Sequence, residues 1–177
     1  HQPIAFTEVA GKGKGQITFD KVPLDAWLAP EVADQLISML NVDTSKDPFA
    51  LAKRLGNDFL YAHPDDHIIF PDNHDMSRIH TQLGDDARKT RLVLVFVATM
   101  RGTPQFYYGT EFLMSNTGDD SHGNIRRDFP GGWEGDAVNA FTGAGLTAEA
   151  LSFQTEFSEL LQWRKTATAV HGGEVKH

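Results

Sequence analysis

His67-Ile68-Ile69-Phe70-Pro71-Asp72-Asn73-His74-Asp75 is the stretch on which the reading of this chain turns. An apolar run of strand length stops at Pro71 and gives way to four polar residues, so it reads as a strand that delivers polar groups at its C-terminal end. Arg78 follows three residues later. Together His74, Asp75 and Arg78 suit a polyhydroxylated ligand held by charge-assisted hydrogen bonds. They equally suit a metal-ligand pair, a helix cap at Asp75 or an ordinary surface turn, and the residue types alone leave these open.

Downstream, DARKTRLVLVFVATM (residues 86–100) has the β-branched core of a buried strand but the length and capping aspartate of a helix, either Asp85 or Asp86. TPQFYYG (103–109) is short, aromatic and preceded by Gly102, which predicts another buried strand, and a long irregular loop rich in Gly and Asp is expected over 111–145. The final helix is expected to start at Thr147, with Glu149 near the positive end of its dipole. Phe153, Phe157, Leu160 and Leu161 form one stripe, and Gly172 and Gly173 stop it. Upstream, a strand is expected near residues 17–19 after a flexible Gly/Lys loop at Gly11 to Gly15, which lacks the Ser/Thr and spacing of a phosphate-cradling loop. Helices are predicted over 32–40 and 49–60. Helices alternating with short strands indicate an α/β fold with a parallel sheet, whose sites lie at strand C-terminal ends. No internal repeat is visible.

The 177 residues carry a formal net charge of −8 and 40% hydrophobic content, enough for a packed domain. The acidic balance excludes a charge-driven grip on nucleic acid, which needs clustered Lys and Arg. Arg88, Lys89 and Arg91, preceded by Asp85 and Asp86, read as a solvated helix start. With no cysteine there is neither a disulfide framework nor a thiolate metal site, and the redox compartment stays open. The longest apolar run, Leu92 to Ala98, has seven residues, far below the roughly 18 to 20 of a membrane span. His1 is a processed terminus or an arbitrary cut.

Three segments in order carry a resemblance. Phe70-Pro71-Asp72-Asn73-His74-Asp75-Met76-Ser77-Arg78 resembles the fourth signature region of the α-amylase family of glycoside hydrolases, an aromatic residue followed shortly by Asn-His-Asp and often Arg. ATMRGTPQFYYGTE (98–111) is similar to that family's seventh helix end and eighth strand, Gly-x-Pro-x-x-Tyr-Tyr-Gly-x-Glu. SHGNIRRDFPGGW (121–133) looks like the neopullulanase and cyclomaltodextrinase branch, especially Bacteroidetes forms acting on maltooligosaccharides.

The resemblance implies a (β/α)8 barrel, of which residues 1–172 form the C-terminal part, about strands six to eight. LQWRK (161–165) resembles the eighth helix, and 173–177 the start of the linker to a β-sandwich domain. A complete barrel needs about 250 residues, so the chain is expected to be a fragment. Residues 86–100 are then expected as a helix between two parallel strands, 67–70 and 105–107, with Asp75 and Glu111 beyond their ends.

The family's retaining chemistry pairs a carboxylate nucleophile with a carboxylic acid about 5 Å away. A third carboxylate stabilises the oxocarbenium-like transition state. By resemblance Asp75 is that third carboxylate, Asn73 and His74 bind the same sugar, and Arg78 either contacts a neighbouring glucose or orders the loop. The Arg-x-Asp of the nucleophile and the Gly-Glu-Val/Ile-Trp of the acid are missing. Arg127-Asp128 falls in the wrong part of the chain, and Glu8 lacks the flanking Gly and Trp. The chain alone is therefore expected to be inactive. The implied substrate is an α-glucan oligosaccharide, with α-1,4 or α-1,6 bonds of maltooligosaccharides, cyclodextrins or pullulan. The alternatives are a glucanotransferase and a non-catalytic glucan-binding or scaffold relative. No cofactor is assigned. Calcium, which many family members bind, has a nearby acidic loop at Asp119 and Asp120 but is left unassigned. An extracytoplasmic location is implied, and the open sides of an incomplete barrel imply either self-association or packing of residues 3–9 and 17–22 across the gap.

Overall fold

The computed structural model describes residues 64–116 and 118–173, with the strands β1 (Thr18–Phe19) and β2 (Val22–Pro23), which pair antiparallel. The strand expected near 17–19 is thus present. The helices expected over 32–40 and 49–60, the glycine run, Glu8 and residues 174–177 lie outside the described residues.

Two further strands, β3 (Ile68–Ile69) and β4 (Thr103–Pro104), pair in parallel with Ile68 opposite Thr103 and Ile69 opposite Pro104. Parallel neighbours need a crossover, and residues 79–99 supply it as the short helix α1 (Ile79–Gln82) and the longer α2 (Ala87–Thr99). The ambiguous segment is therefore helical in spite of its β-branched core. Asp86 caps it by accepting from the backbone N–H groups of Arg88 and Lys89, and hydrogen bonds from Arg88 hold its carboxyl down at about 2. Ala87, Thr90, Val93, Leu94, Val97 and Ala98 form the buried stripe, a spacing only a helix produces.

The second strand lies earlier than expected, at Thr103–Pro104 instead of 105–107. The Thr103 N–H donates to the His67 carbonyl and the Gln105 N–H to that of Ile69, both at 2.8 Å. Pro104, with no N–H, falls between these two donors, so its missing donor costs this ladder nothing. Gly102, at φ 96°, opens the strand, and a Cβ there would meet the His67 oxygen at 2.5 Å. Beyond Gln105, Phe106 leaves the ladder to pack edge-on against Phe157, with centroids 4.9 Å apart.

Helix α3 (His122–Ile125) lies in the segment expected to be wholly irregular, which also begins with a 3-10 turn at Thr110–Phe112. That segment is packed: Phe112, Met114, Ala140 and Ala150 are buried together beneath Phe129 and Leu146. Helix α4 (Ala148–Thr166) starts as expected, the Thr147 hydroxyl accepting from the Ala150 N–H at 3.1 Å. It stops earlier than the glycines suggest, because Ala167 is extended and a separate α5 (Thr168–Gly172) follows, ended by Gly173. Arg164 fastens the last turn of α4 to the carbonyls of Ala98 and Gly102, and the Arg164 carbonyl accepts from Ala167 and contacts His171 Nε2 at 2.7 Å.

The buried apolar residues among those described form three clusters, that beneath Phe129 and two more between these pieces. Ile69, Ile79, Leu83, Val93, Val97 and Met100 join β3, α1 and α2, while Leu94 meets Phe153 and Phe157 where α2 crosses α4. Leu94→Ala is expected to lower stability by about 2–5 kcal/mol through the cavity it leaves. Leu92→Ala, on the exposed side of the same helix, should stay within about 0.5 kcal/mol. Urea titration of both variants measures this, and equal midpoints would mean that the packed face is misassigned.

Candidate active site

Beyond β3 the chain buries Phe70, Pro71 and Asp72 and then emerges in a tight turn. The turn follows from side-chain chemistry, since Asn73 Oδ1 accepts from the Asp75 N–H at 2.8 Å and competes with regular backbone pairing. It leaves His74 and Asp75 as exposed neighbours, with Nε2 3.3 Å from Oδ2. The carboxylate and His74 are also reached from across the fold: Arg126 Nη2 donates to Asp75 Oδ1 at 2.7 Å and Arg126 Nε to the His74 carbonyl at 2.9 Å. Asn73, His74 and Asp75 thus stand together at a strand's C-terminal end.

Arg78 is placed differently. It is fully buried, with Nε donating to the Ile125 carbonyl at 3.0 Å and Nη1 to the Tyr108 carbonyl at 2.7 Å. Its guanidinium carbon lies 4.6 Å and 5.0 Å from the ring centroids of Tyr107 and Tyr108. Of the two roles left open by the sequence, this geometry supports ordering of the loop over contact with a sugar. Burial lowers the pKa of Arg78, and burial first, then the Tyr108 hydrogen bond, pushes Tyr107 up to about 12.

Asp72, three residues before Asp75, has no exposed surface. Its Oδ2 accepts from the Ile79 N–H at 2.8 Å, which satisfies an orphan donor at the start of α1, and lies 3.3 Å from Thr110 Oγ1. His80 is also internal, its Nδ1 2.9 Å from Thr90 Oγ1, and burial lowers its pKa. Glu111 lies beyond β4 as expected. It is half-buried, which raises its pKa, and it lines a cavity of about 650 Å³ with Tyr107, Tyr108, Phe141, Gln154 and Lys165. His74 and Asp75 do not line that cavity.

Among the described residues no three metal-ligating side chains gather. Asp119 Oδ1 accepts from the Ser121 N–H and Asn124, and Asp120 Oδ1 from Asn116, so each has a partner within its own loop. Arg127 donates to the Ser115 carbonyl and its own carbonyl accepts from the Tyr108 hydroxyl at 2.8 Å, which makes it a tie within the loop. The parts missed from sequence are Arg126 and Asp72. Arg126 lies inside the motif at 121–133, but no local pattern announces a partner 51 positions away.

The model of the alpha amylase catalytic domain matches residues 44–168, 125 of the 177. The cyclomaltodextrin glucanotransferase of Bacillus sp. (strain 38-2) is 42% identical over 78 residues, which cover 44% of this chain and 11% of that protein. An α-amylase of Niallia circulans is 40% identical over 62 residues, 35% of this chain and 12% of the relative. Among solved structures, the α-amylase from H. orenii superposes with a TM-score of 0.62 at 22% identity, covering 84% of this chain and 33% of that one. The gamma-CGTase of alkalophilic Bacillus clarkii gives a TM-score of 0.52 at 27% identity, covering 78% and 18%. The chain thus spans about a tenth of these curated relatives and a third or less of these solved chains.

The raised pKa of Asp72 yields a pH test. Burial lifts it from 3.8 to about 6, so the folded state holds the proton more tightly than the unfolded one. The stability this adds is full below pH 3.8 and is lost as pH rises through about 6. Between pH 4 and 7 the chain should lose up to about 3 kcal/mol that Asp72→Asn retains. Chemical denaturation across that range gives the difference, and parallel profiles would contradict the burial of an ionisable Asp72.

Proposed function

The chain belongs to the alpha-amylase family and folds as part of that family's (β/α)8 barrel, and on that premise we propose that it comes from an enzyme that cleaves α-glucosidic bonds with retention. The observation that carries this reading is the Asn73-His74-Asp75 turn at the C-terminal end of β3, beside a parallel neighbour, which is where barrel enzymes keep their reacting groups. Strands β3 and β4 are taken as barrel strands seven and eight, residues 1–172 as barrel and 173–177 as the start of a linker.

In this reading Asp75 is the transition-state stabiliser. Its exposed carboxylate accepts hydrogen bonds from sugar hydroxyls, and these strengthen as positive charge develops on the distorted ring. Asn73 shapes the turn, and His74 holds the same sugar. Arg78 orders the loop beneath them. Nucleophile and proton donor come from outside the described residues. The substrate is a maltooligosaccharide, cyclodextrin or pullulan, and the motif at 121–133 supports the neopullulanase or cyclomaltodextrinase branch. A second reading, glucan transfer, is favoured by the relatives named as glucanotransferases. Product analysis separates them, because hydrolysis releases reducing ends and cyclising transfer does not.

The chain alone is expected to show no turnover on these substrates. In the complete polypeptide, Asp75→Asn should lower kcat on the order of 10²–10³-fold, with a much smaller change in KM. A near-normal kcat would reduce Asp75 to a structural residue.

Among the described residues β3 and β4 each have a single partner strand, which leaves open edges able to template pairing with a second copy. Self-association of the isolated chain follows, and light scattering after size exclusion should report a mass above 19.6 kDa. A clean monomer would show that other parts of the polypeptide close those edges.

A further inference from the structure

We propose that Arg126 is a positioning residue for Asp75, holding the carboxylate in the orientation the reaction uses; this rests on the role given to Asp75 above. An exposed ion pair is ordinarily worth little, and Arg126 and Asp75 are both largely solvent-facing, at 41% and 60% side-chain exposure. Two observations set this pair apart.

The first is the geometry of the grip. One guanidinium bonds two successive residues, Nη2 to Asp75 Oδ1 at 2.7 Å and Nε to the His74 carbonyl at 2.9 Å. A planar fork clamped to the backbone on one prong fixes direction on the other, which a lone ammonium on a flexible stem does not. Oδ1 is held by the Nη2 bond, while Oδ2 lies 3.3 Å from His74 Nε2 and faces solvent, where sugar hydroxyls can reach it.

The second is what anchors Arg126. It follows Ile125, which is buried and whose carbonyl accepts from Arg78, three residues past Asp75. Thus Arg78 reaches from the Asp75 turn to the α3 end, and Arg126 reaches back from the α3 end to the Asp75 turn. Asn116 adds a parallel tie, its Oδ1 accepting from the Arg78 N–H at 3.2 Å and its Nδ2 donating to Ser77 Oγ at 2.9 Å. A salt bridge formed only by surface chance would have no such reciprocal support. The segment at 121–133 is therefore part of the apparatus that aims Asp75, in addition to its place in the fold.

The test is a double-mutant cycle in the complete polypeptide, on a maltooligosaccharide, with Arg126→Ala, Arg126→Lys, Asp75→Asn and Arg126→Ala combined with Asp75→Asn. Loss of aim should lower kcat by about 10- to 100-fold in Arg126→Ala with KM changed less than about threefold. Arg126→Lys, which keeps the charge but loses the fork, should recover only part of this. In the Asp75→Asn background, removing Arg126 should cost less than about threefold more, because the two act as one unit. Full kcat in Arg126→Ala, or a loss that multiplies undiminished on Asp75→Asn, overturns the proposal. A near-normal Asp75→Asn instead sinks the role of Asp75 itself, and the inference with it. Should Arg126→Ala fail to fold by circular dichroism, Arg126→Lys decides: a lowered kcat with Tm within a few degrees supports the proposal, and an unchanged kcat overturns it.

Discussion

Arg78 is the point on which three separate segments converge. Its charge is fully buried with no carboxylate in direct contact among the described residues, and the cost of removing it from water is met by carbonyls and ring faces. Ile125 and Tyr108 supply the carbonyls, and Tyr107 and Tyr108 the π-systems. Asp72 adds a longer-range attraction. Nη2 has no hydrogen-bond partner among the described residues, so the arrangement depends on the bonds that are made. The site is built around this fit so tightly that Gly109, at φ 88°, has no room for a side chain: a Cβ would lie 3.2 Å from Nη1 and 2.6 Å from Met114 Sδ. A lysine offers one compact charge and no plane to lay on the tyrosines. The residues after the strand end, the Tyr107–Tyr108 turn and the end of α3 at Ile125 all meet at this one side chain.

How far the sequence foretells this differs by element. Asp86 before a run of buried spacing 87, 90, 93, 94, 97, 98 is a local signal, and it outweighs the β-branched residues because their side chains are absorbed by a tertiary face. The turn at Asn73 is legible too, since Asn in that setting bonds its own neighbourhood. The start of β4 is less so: an aromatic run attracts a strand reading, yet Phe106 is taken by Phe157 on a helix 51 residues away, and the ladder belongs to the residues before it. The early stop of α4 is not marked by the glycines either: Ala167 is already extended, just past Arg164, whose side chain is tied to carbonyls at the α2–β4 junction. Misreadings fall where a long-range partner decides between two locally acceptable conformations.

Two aspartates three residues apart show why composition cannot assign roles. Asp72 lies beneath Thr110 and at the first turn of α1, so its carboxyl is kept from water and its pKa rises to about 6. Asp75 stands past the Asx turn, largely exposed and in contact with Arg126 and His74. The same functional group serves as a buried cap in one place and an available anion in the other. The difference is set by a turn of four residues and by what approaches from positions 110 and 126. The motif points to the neighbourhood, and the neighbours assign the work.

Hydrolysis and transfer share the step in which positive charge develops on the sugar, and differ in whether water or another sugar hydroxyl then attacks. In the role proposed for Asp75, a carboxylate that serves the shared step does not discriminate between them, so Asp75 and its supports would belong equally to both outcomes. Selection of the acceptor has to come from surfaces flanking the site. The loop that carries Arg126 also carries Phe129, which packs edge-on against Phe112 at 5.3 Å and meets the exposed Phe141 at 4.7 Å. Tyr108 joins the two regions, its hydroxyl on the Arg127 carbonyl and its backbone carbonyl on Arg78. A displacement of this loop therefore moves the aromatic surface and the guanidinium at Asp75 together. If these aromatics face the acceptor, a change in them is then coupled mechanically to the step proposed for Asp75.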